Sequence, residues 1–579
     1  MNQFLKPVPV IDDEINEATL ALYDSYSKLE KDLIKNEHDF YNISIKNSKL
    51  DGIFIDKVKL VNVFVKLGFC RFDIDDKHLM VYLHNNTIKR ATPKMIRDVF
   101  FKYIDNLKVH KIVKQRDSTE VTIAISGPML KRKFFDSLET YFSPLIFERA
   151  CNVVPLEIQT DEQETKYFYF KNGFVIINAK GHKFLKYTEL KNVIWETSIL
   201  HNNFKYTSEK GNFEKFFENI TGINDEYRKE SLMSICGYLL HSFYDYKTFL
   251  ILLADAGLNL NGEPNGRSGK TLLMKGLGKM LMANDKQTRY VLIDGKTFKS
   301  NEDRKYQRAD IDTSLIHIND IYKWFDIENL FVDITDGITV RQMYEKPFTI
   351  FSKLAMSSNK TIKLDGPSSR DRVIVYEIDN FYSDTRNPET EFKQWFFRDW
   401  DAIEWNKFYS FMIRCCIIFF QKGILKPIEI NYHTRLLFDY TSKEFVAWFG
   451  DYWHKIESEM QSTSDDIHSS KKMMYHNFIS EYEDYQKASE KFSQKKMTIW
   501  MQQILKHKKI IYKESRLSED LFIYTNIYHD RPIDSSIVPP TRNYKQQNMN
   551  FNKPVPQEEP VTVDEENEVI YNNDLPETN

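Results

Sequence analysis

FLILLADA, residues 249–256, is apolar without the alternation of a half-exposed strand, and a Gly- and Asn-rich loop separates it from the helix-forming TLLMKGLGKMLM. A strand of that kind is buried on both faces, which calls for helices on both sides of a parallel sheet. Four more short runs continue the alternation: RYVLID (289–294), SLIHIND (314–320), KLAMSSN (353–359) and RVIVYEI (372–378). The fold class expected is therefore an α/β core, flanked by a mixed α+β region before it and helical material after it.

The loop between the first strand and helix, NGEPNGRSGKT, is close to the phosphate-binding pattern Gly, four residues, Gly-Lys-Ser/Thr, but Pro264 stands where the first glycine belongs. Gly257, Gly262 and Gly266 let the backbone turn its N–H groups inward, and the following helix adds the positive end of its dipole. Gly266, Ser268, Gly269, Lys270 and Thr271 are the candidate nucleotide contacts. Lys270 would meet the β- and γ-phosphates of ATP, and the Thr271 hydroxyl would join a Mg²⁺ shell. The competing reading is a flexible surface loop. A second Gly-Lys-Thr at 295–297 acts as an internal control, since it follows RYVLID directly and has neither a loop nor a clear helix.

An acid at a second strand end is also required, and Asp320 closes SLIHIND, with Asn319 where an acid would be more comfortable. Asp320 is either the metal-side acid or the water-activating one. Asp310 and Asp312 are expected to be solvated. Asn359, at the tip of KLAMSSN, can sense a γ-phosphate and the attacking water, although Asn is also an ordinary turn residue. Arg370 and Arg372 precede the last strand, and an arginine there can serve across a subunit interface, with Arg370 favoured. Lys270, Asp320, Asn359, Arg370 and Arg372 make up the candidate catalytic set.

This compact order resembles the superfamily 3 helicases of viruses, phages and plasmids, an AAA+-type P-loop group, and in particular the poxvirus-type primase-helicases. FVDITDGITVRQMYEKPFTIFSKLAMSSNK (331–360) carries much of the likeness, and residues 165–385 are its extent. The resemblance implies an ATP- and Mg²⁺-dependent ring, commonly hexameric, that translocates on single-stranded and forked DNA during replication. It implies a channel hairpin touching DNA through Arg341, Tyr344 and Lys346, with Lys363 a weaker candidate. Pro264 and Asn319 depart from the common pattern. A nucleotide-dependent assembly or defence ATPase is the alternative, and a standalone nucleotide kinase fits poorly.

The remaining expectations concern the flanks. The divisions are 1–195 (α+β, with 1–50 helix-like), 196–245 (helical), 246–385 (ATPase core), 386–535 (helical, with a winged-helix-like end) and 536–579 (acidic, disordered, a possible recruiter of a replication partner). Asp73 and Asp75 are the only primase-style acid pair, but DDKH reads better as a hairpin turn. Lys495, Lys496, Lys506, Lys508 and Lys509 are candidate phosphate contacts, or simply a solvated face. A formal net charge of −3 restricts any nucleic-acid surface to a local patch. The five cysteines lack a Cys-x-x-Cys pair, so reduced thiols and no zinc site are expected. FMIRCCIIFF (411–420) is too short to span a bilayer and the N-terminus lacks a signal-peptide order, so a soluble cytoplasmic protein without a membrane partner is expected.

Overall fold

The computed structural model describes residues 40–524 apart from 75–76, 106, 115–119, 144–145, 147–155, 246, 258–265, 283–288, 344, 365–368, 370, 384, 463–464, 488–491 and 516–520. These form two compact units, one of residues 40–454 with 471–510 and one of 455–470 with 511–524. Expectations for Pro264, Gly262, Tyr344, Arg370, Asp75 and the acidic tail lie outside the described residues.

The larger unit opens with an antiparallel hairpin, β1 (Tyr41–Lys46) and β2 (Lys49–Ile55), where a helix-like start was expected through residue 50. The local reason is the pair Asn47-Ser48, both at positive φ (50° and 60°), which makes the tight turn that right-twisted strands prefer. Helix α1 (Lys57–Lys66) follows, capped by Asp56, whose carboxylate accepts from the N–H groups of Val58 and Lys59. Strands β3 (Phe69–Ile74), β4 (Lys77–His84) and β5 (Thr87–Arg90) form an antiparallel meander, and Pro93 opens α2 (Pro93–Asp105). A hairpin of β6 (Lys108–Lys114) and β7 (Glu120–Ser126) leads into α3 (Gly127–Phe135). Phe40, Phe64, Phe100 and Phe134 pack together at the centre of this region.

A second meander, β8 (Lys166–Phe170), β9 (Gly173–Asn178) and β10 (Gly181–Leu185), turns at Lys171-Asn172, with Gly173 opening β9 at φ 149°. The short β11 (Ile194–Trp195) joins the first meander beside β5, and β12 (Ile199–Leu200) joins the second beside β8.

Helices α4 (Asn212–Thr221) and α5 (Glu226–Leu240) precede the parallel sheet. Its strands are β13 (Leu250–Asp255), β14 (Tyr290–Asp294), β15 (Leu315–Asn319), β18 (Lys353–Ser357) and β19 (Val373–Ile378), in the order β14-β15-β18-β13-β19. All four pairings are parallel. All six residues of β13 are buried, and its faces divide by parity. Ile251 and Leu253 join a core built with α4, α5, α6 (Lys270–Leu281) and α7 (Ala402–Lys422). Leu250, Leu252 and Ala254 join Phe298, Tyr306 and Ile334 on the opposite side. That two-sided burial is why FLILLADA shows no alternation. Between β15 and β18 lies a small antiparallel hairpin, β16 (Ile338–Val340) with β17 (Phe348–Ile350).

FMIRCCIIFF lies within α7, where Phe411, Met412, Cys415 and Cys416 are buried against the core, and no described helix is long and apolar enough to cross a membrane. Beyond it come α8 (Tyr432–Tyr440), α9 (Lys471–Glu481) and α10 (Gln494–His507), with Phe445, Phe478, Phe492 and Trp500 in mutual ring contact. The smaller unit holds β20 (Ile467–Ser470), β21 (Tyr512–Ser515) and β22 (Leu521–Tyr524), an antiparallel sheet ordered β20-β22-β21.

Candidate functional site

In an open parallel sheet, ligands sit outside the carboxyl ends of the strands, where successive connections leave in opposite directions. Here the chain leaves β13 for β14 at one edge and later crosses from β18 over β13 to β19, so the crevice lies at Asp255. The turn entering α6 is built for that place. Gly266, Arg267 and Gly269 have φ of 69°, 55° and 103°, left-handed values that roll successive N–H groups to one side. At Gly269 a side chain is excluded twice, by φ and by Phe216, whose ring would stand 2.9 Å from an added Cβ. Gly269 caps a twelve-residue helix, and among the described residues no side chain bonds to its first N–H groups, which leaves them open to an anion.

Lys270 begins the helix and is buried, its ammonium bonded to the Asp255 carboxylate, which also accepts from the Ser268 hydroxyl. Burial pushes the Lys270 ammonium below its usual range, while Asp255 opposes that shift. The other carboxylate oxygen of Asp255 has no hydrogen-bond partner among the described residues.

Thr271, the next residue, donates to Asn319 Oδ1 across 3.4 Å, and Ser357 Oγ donates to the same oxygen at 2.9 Å. Behind Ser357 stands His317, its Nε2 at 3.0 Å from the serine hydroxyl and its Nδ1 at 2.9 Å from the Tyr290 hydroxyl. Because Ser357 spends its proton on Asn319, His317 Nε2 is the donor and Nδ1 accepts from Tyr290. Full burial pushes His317 down to about 3, which fits this neutral tautomer. A polar chain, buried at Tyr290, His317 and Ser357, thus runs on through Asn319 to the exposed Thr271 and fixes the end of β15 against the start of α6.

Asp320 follows at φ 61°, a left-handed value that Asp tolerates better than most residues and that turns it away from the strand. Its carboxylate is 2.8 Å from the ammonium of Lys296 and acts electrostatically on Lys270. The second Gly-Lys-Thr thus contributes its lysine to the acid at the strand tip. Asn359 lies two residues beyond β18 and faces the loop, since a Cβ on Gly266 would be 3.6 Å from its Nδ2. Gly266, Ser268, Gly269, Lys270, Thr271, Asp320 and Asn359 therefore meet in one place.

Arg372 does not join them. It precedes β19 at the amino end of the sheet, about 20 Å of strand from the Lys270 turn, with its guanidinium 5.5 Å from the Phe331 ring. Arg341 and Lys346 are exposed in the connection between β16 and β17. That connection is tied to β5 by Arg90, which reaches Glu345 at 3.0 Å and Asp310 at 2.7 Å. Asp310 is accordingly ion-paired and Asp312 accepts from Thr197 at 2.8 Å, where solvation was expected. Lys363 lies between the rings of Trp324 and Tyr440, at 5.3 and 4.4 Å. Asp73 is held below the usual carboxylate range by hydrogen bonds from Arg71 and His78. Lys495, Lys496, Lys506, Lys508 and Lys509 are all exposed.

Three contributors escaped the motif reading. Asp255 reads as the polar end of a strand, and Ser357 as a small residue in one. Arg435 sits in YHTRLLFDY, which matches no pattern, but it is buried on α8, 3.3 Å from Glu377, and acts electrostatically on both Asp255 and Lys270. Glu377 also accepts from the backbone N–H groups of Ile430 and Asn431, and Asn431 donates to the Ala256 carbonyl. The signal available was the set of buried helix residues Tyr432, Arg435 and Leu437, in which only the arginine is charged.

No family model matches the chain, and no curated protein matches it. Among solved structures, the A form apo structure of the NrS-1 C-terminal region aligns at 12% identity over 63% of this chain and 97% of that one, with a TM-score of 0.27. Another A form apo structure of that region, residues 305–718, aligns at 12% identity over 81% of this chain and 100% of that one, with a TM-score of 0.35.

Proposed function

We propose that the chain is an ATP hydrolase whose turnover drives movement on single-stranded DNA, a replicative helicase of the superfamily 3 kind acting as a homo-oligomeric ring. One observation carries the reading: Lys270, Thr271, Asn319 and Asp320 converge on the uncapped N-terminus of α6, at the carboxyl end of a parallel sheet. The residues present suit a nucleoside triphosphate. Uncapped N–H groups and left-handed turn residues favour phosphate oxygens. A buried lysine held by a carboxylate is a cation available for exchange to a phosphate.

Lys270 would hold the terminal phosphates in place of Asp255. Thr271 and Asp320 would hold Mg²⁺, which when bound neutralises phosphate charge. Asp320 would serve either for that or to take a proton from water. Asn359 would orient the attacking water. Arg372, remote from its own chain's turn, suits a neighbouring subunit's site, the role that the resemblance gives to it or to Arg370. Arg341, Tyr344 and Lys346 would grip the phosphate backbone, giving sequence-tolerant, salt-sensitive binding.

The test is forked-duplex unwinding and ATP hydrolysis by the wild type and Lys270→Ala, with mass measured with and without ATP. Hydrolysis that survives in Lys270→Ala would overturn the site. Hydrolysis and ring formation without unwinding would replace the helicase by an assembly ATPase.

A further inference from the structure

At the amino end of the parallel sheet, opposite the Lys270 turn, a cavity of about 1230 Å³ opens among α5, α7, α8 and α10. Five lysines line it: Lys247, Lys353, Lys426, Lys506 and Lys509. Four of them are exposed at its rim, whereas Lys353, the first residue of β18, is only 4% exposed.

Lys353 is the informative one. Its ammonium lies 4.5 Å from the centre of the Tyr238 ring and makes no ion pair or side-chain hydrogen bond among the described residues. The nearest acids that act on it are Asp245 and Asp161, and Asp161 is already bonded to Lys166 at 2.8 Å and to Ser242. Burial outweighs them and pushes Lys353 down to about 8. A nearly buried cation beside one aromatic face, with no ion pair among the described residues, is short of an anion.

The acids of the lining do not supply it. Glu377 is committed to Arg435 and to two backbone N–H groups, and Glu429 is bonded to His433. Asp245 alone is uncommitted among the described residues, so positive charge prevails. The ligand's form follows from the number of cations. The lysines stand on separate parts of the chain: before β13, at the start of β18, after α7 and at the end of α10. Five cations brought by these separate parts outnumber the charges of one phosphate, whereas an anion with charges repeated along a strand can meet them in turn. The lining also holds the rings of Phe243, Phe419 and Tyr440, and basic charge combined with aromatic faces is how proteins hold single strands.

We infer that this cavity binds a phosphodiester segment of single-stranded nucleic acid, with Lys353 as its buried phosphate contact and Lys247, Lys426, Lys506 and Lys509 as its rim. The choice of nucleic acid rests on the replication reading above; the need for a polyanion does not.

The experiment uses the full chain without nucleotide, a fluorescent oligothymidylate of roughly twenty residues, and anisotropy over a range of salt. Lys353→Met keeps the apolar stem over Tyr238 and removes the charge. It is expected to weaken binding about tenfold and to reduce the salt slope by about 0.7, the share of one phosphate contact on a single strand. Lys353→Arg is expected to restore most of both. Lys506→Gln/Lys509→Gln, at exposed positions that leave the fold intact, is expected to reduce the slope by about 1.4 and carries the test if Lys353→Met does not fold. Unchanged affinity and slope in that double variant and in a folded Lys353→Met would overturn the site. A loss of tripolyphosphate binding in Lys353→Met with oligonucleotide binding intact would overturn the nucleic-acid assignment. ATP binding at Lys270 is expected to be the same in all of these variants, so failure here is separable from failure of the nucleotide reading.

Discussion

The ammonium of Lys270 is bonded to the carboxylate of Asp255, so the lysine at the mouth of α6 is held by an acid from the end of β13. Both groups are buried, and breaking such a pair from one side leaves an uncompensated charge. Lys270→Ala is therefore expected to lose ATP hydrolysis and also to lower unfolding stability by about 3 kcal/mol. Lys270→Ala/Asp255→Asn is expected to recover most of that stability and none of the hydrolysis. Urea unfolding of the three proteins, read at constant m-value, checks this. A Lys270→Ala protein as stable as wild type would show that the pair contributes nothing to the fold.

The two residues at the β15 end, Asn319 and Asp320, are separable because their surroundings differ. Asp320 faces an exposed lysine, so Asp320→Asn is expected to change stability by less than about 0.5 kcal/mol. It is expected to slow hydrolysis about a hundredfold or more if Asp320 handles the proton or the metal. Asn319→Asp keeps an acceptor for Ser357 and Thr271 and adds charge beside the latter. Less Mg²⁺ should then be needed for half-maximal rate. Hydrolysis at the wild-type rate in Asp320→Asn would remove that residue from the catalytic set.

What could be read from the sequence here was whatever local chemistry writes in order along the chain. An unalternating strand, a glycine turn and a helix announced the Lys270 corner, because each is a short-range requirement of the same ligand geometry. The tips of β15 and β18 were legible for the same reason. The partners of those residues were not. Asp255, Ser357 and Arg435 come to the corner from 15 or more residues away, through the register of β13 and β18 and the packing of α8, and strands buried on both faces carry no alternation from which register can be read. The Asn47-Ser48 turn is hidden in the sequence because the charge of residues 1–50 masks the alternation of YNISIK.

The β16–β17 connection is exposed and basic at Arg341 and Lys346, and Met343 beside them is 62% exposed. If it grips DNA, Arg341→Ala/Lys346→Ala is expected to abolish stimulation of hydrolysis by single-stranded DNA while leaving the basal rate and the oligomer mass unchanged. Arg90→Ala, which frees the connection from β5, is expected to give an intermediate loss with a stability change below about 1 kcal/mol. Stimulation that persists in the double variant would move the DNA contact elsewhere.

His317 makes the stability of the sheet depend on acid. It is fully buried between Tyr290 and Ser357 and is pushed down to about 3, against about 6.5 for an unfolded histidine. The unfolded chain therefore binds a proton that the native chain refuses, and its uptake favours unfolding. The contribution of neutral His317 is fully present above pH 6.5 and is lost as pH falls from there toward 3, at about 1.4 kcal/mol for each unit. His241, whose burial also lowers it, adds a slope of the same sign, so the wild-type profile alone does not isolate His317. His317→Gln can still donate to Ser357 and accept from Tyr290 but does not titrate. Urea unfolding between pH 7.5 and 5 is expected to show a shallower loss in His317→Gln than in wild type, with the two profiles drawing together as pH falls. Parallel profiles would mean that His317 takes up its proton inside the folded sheet, and the Nε2-donor arrangement that seats Asn319 against Thr271 would then be wrong.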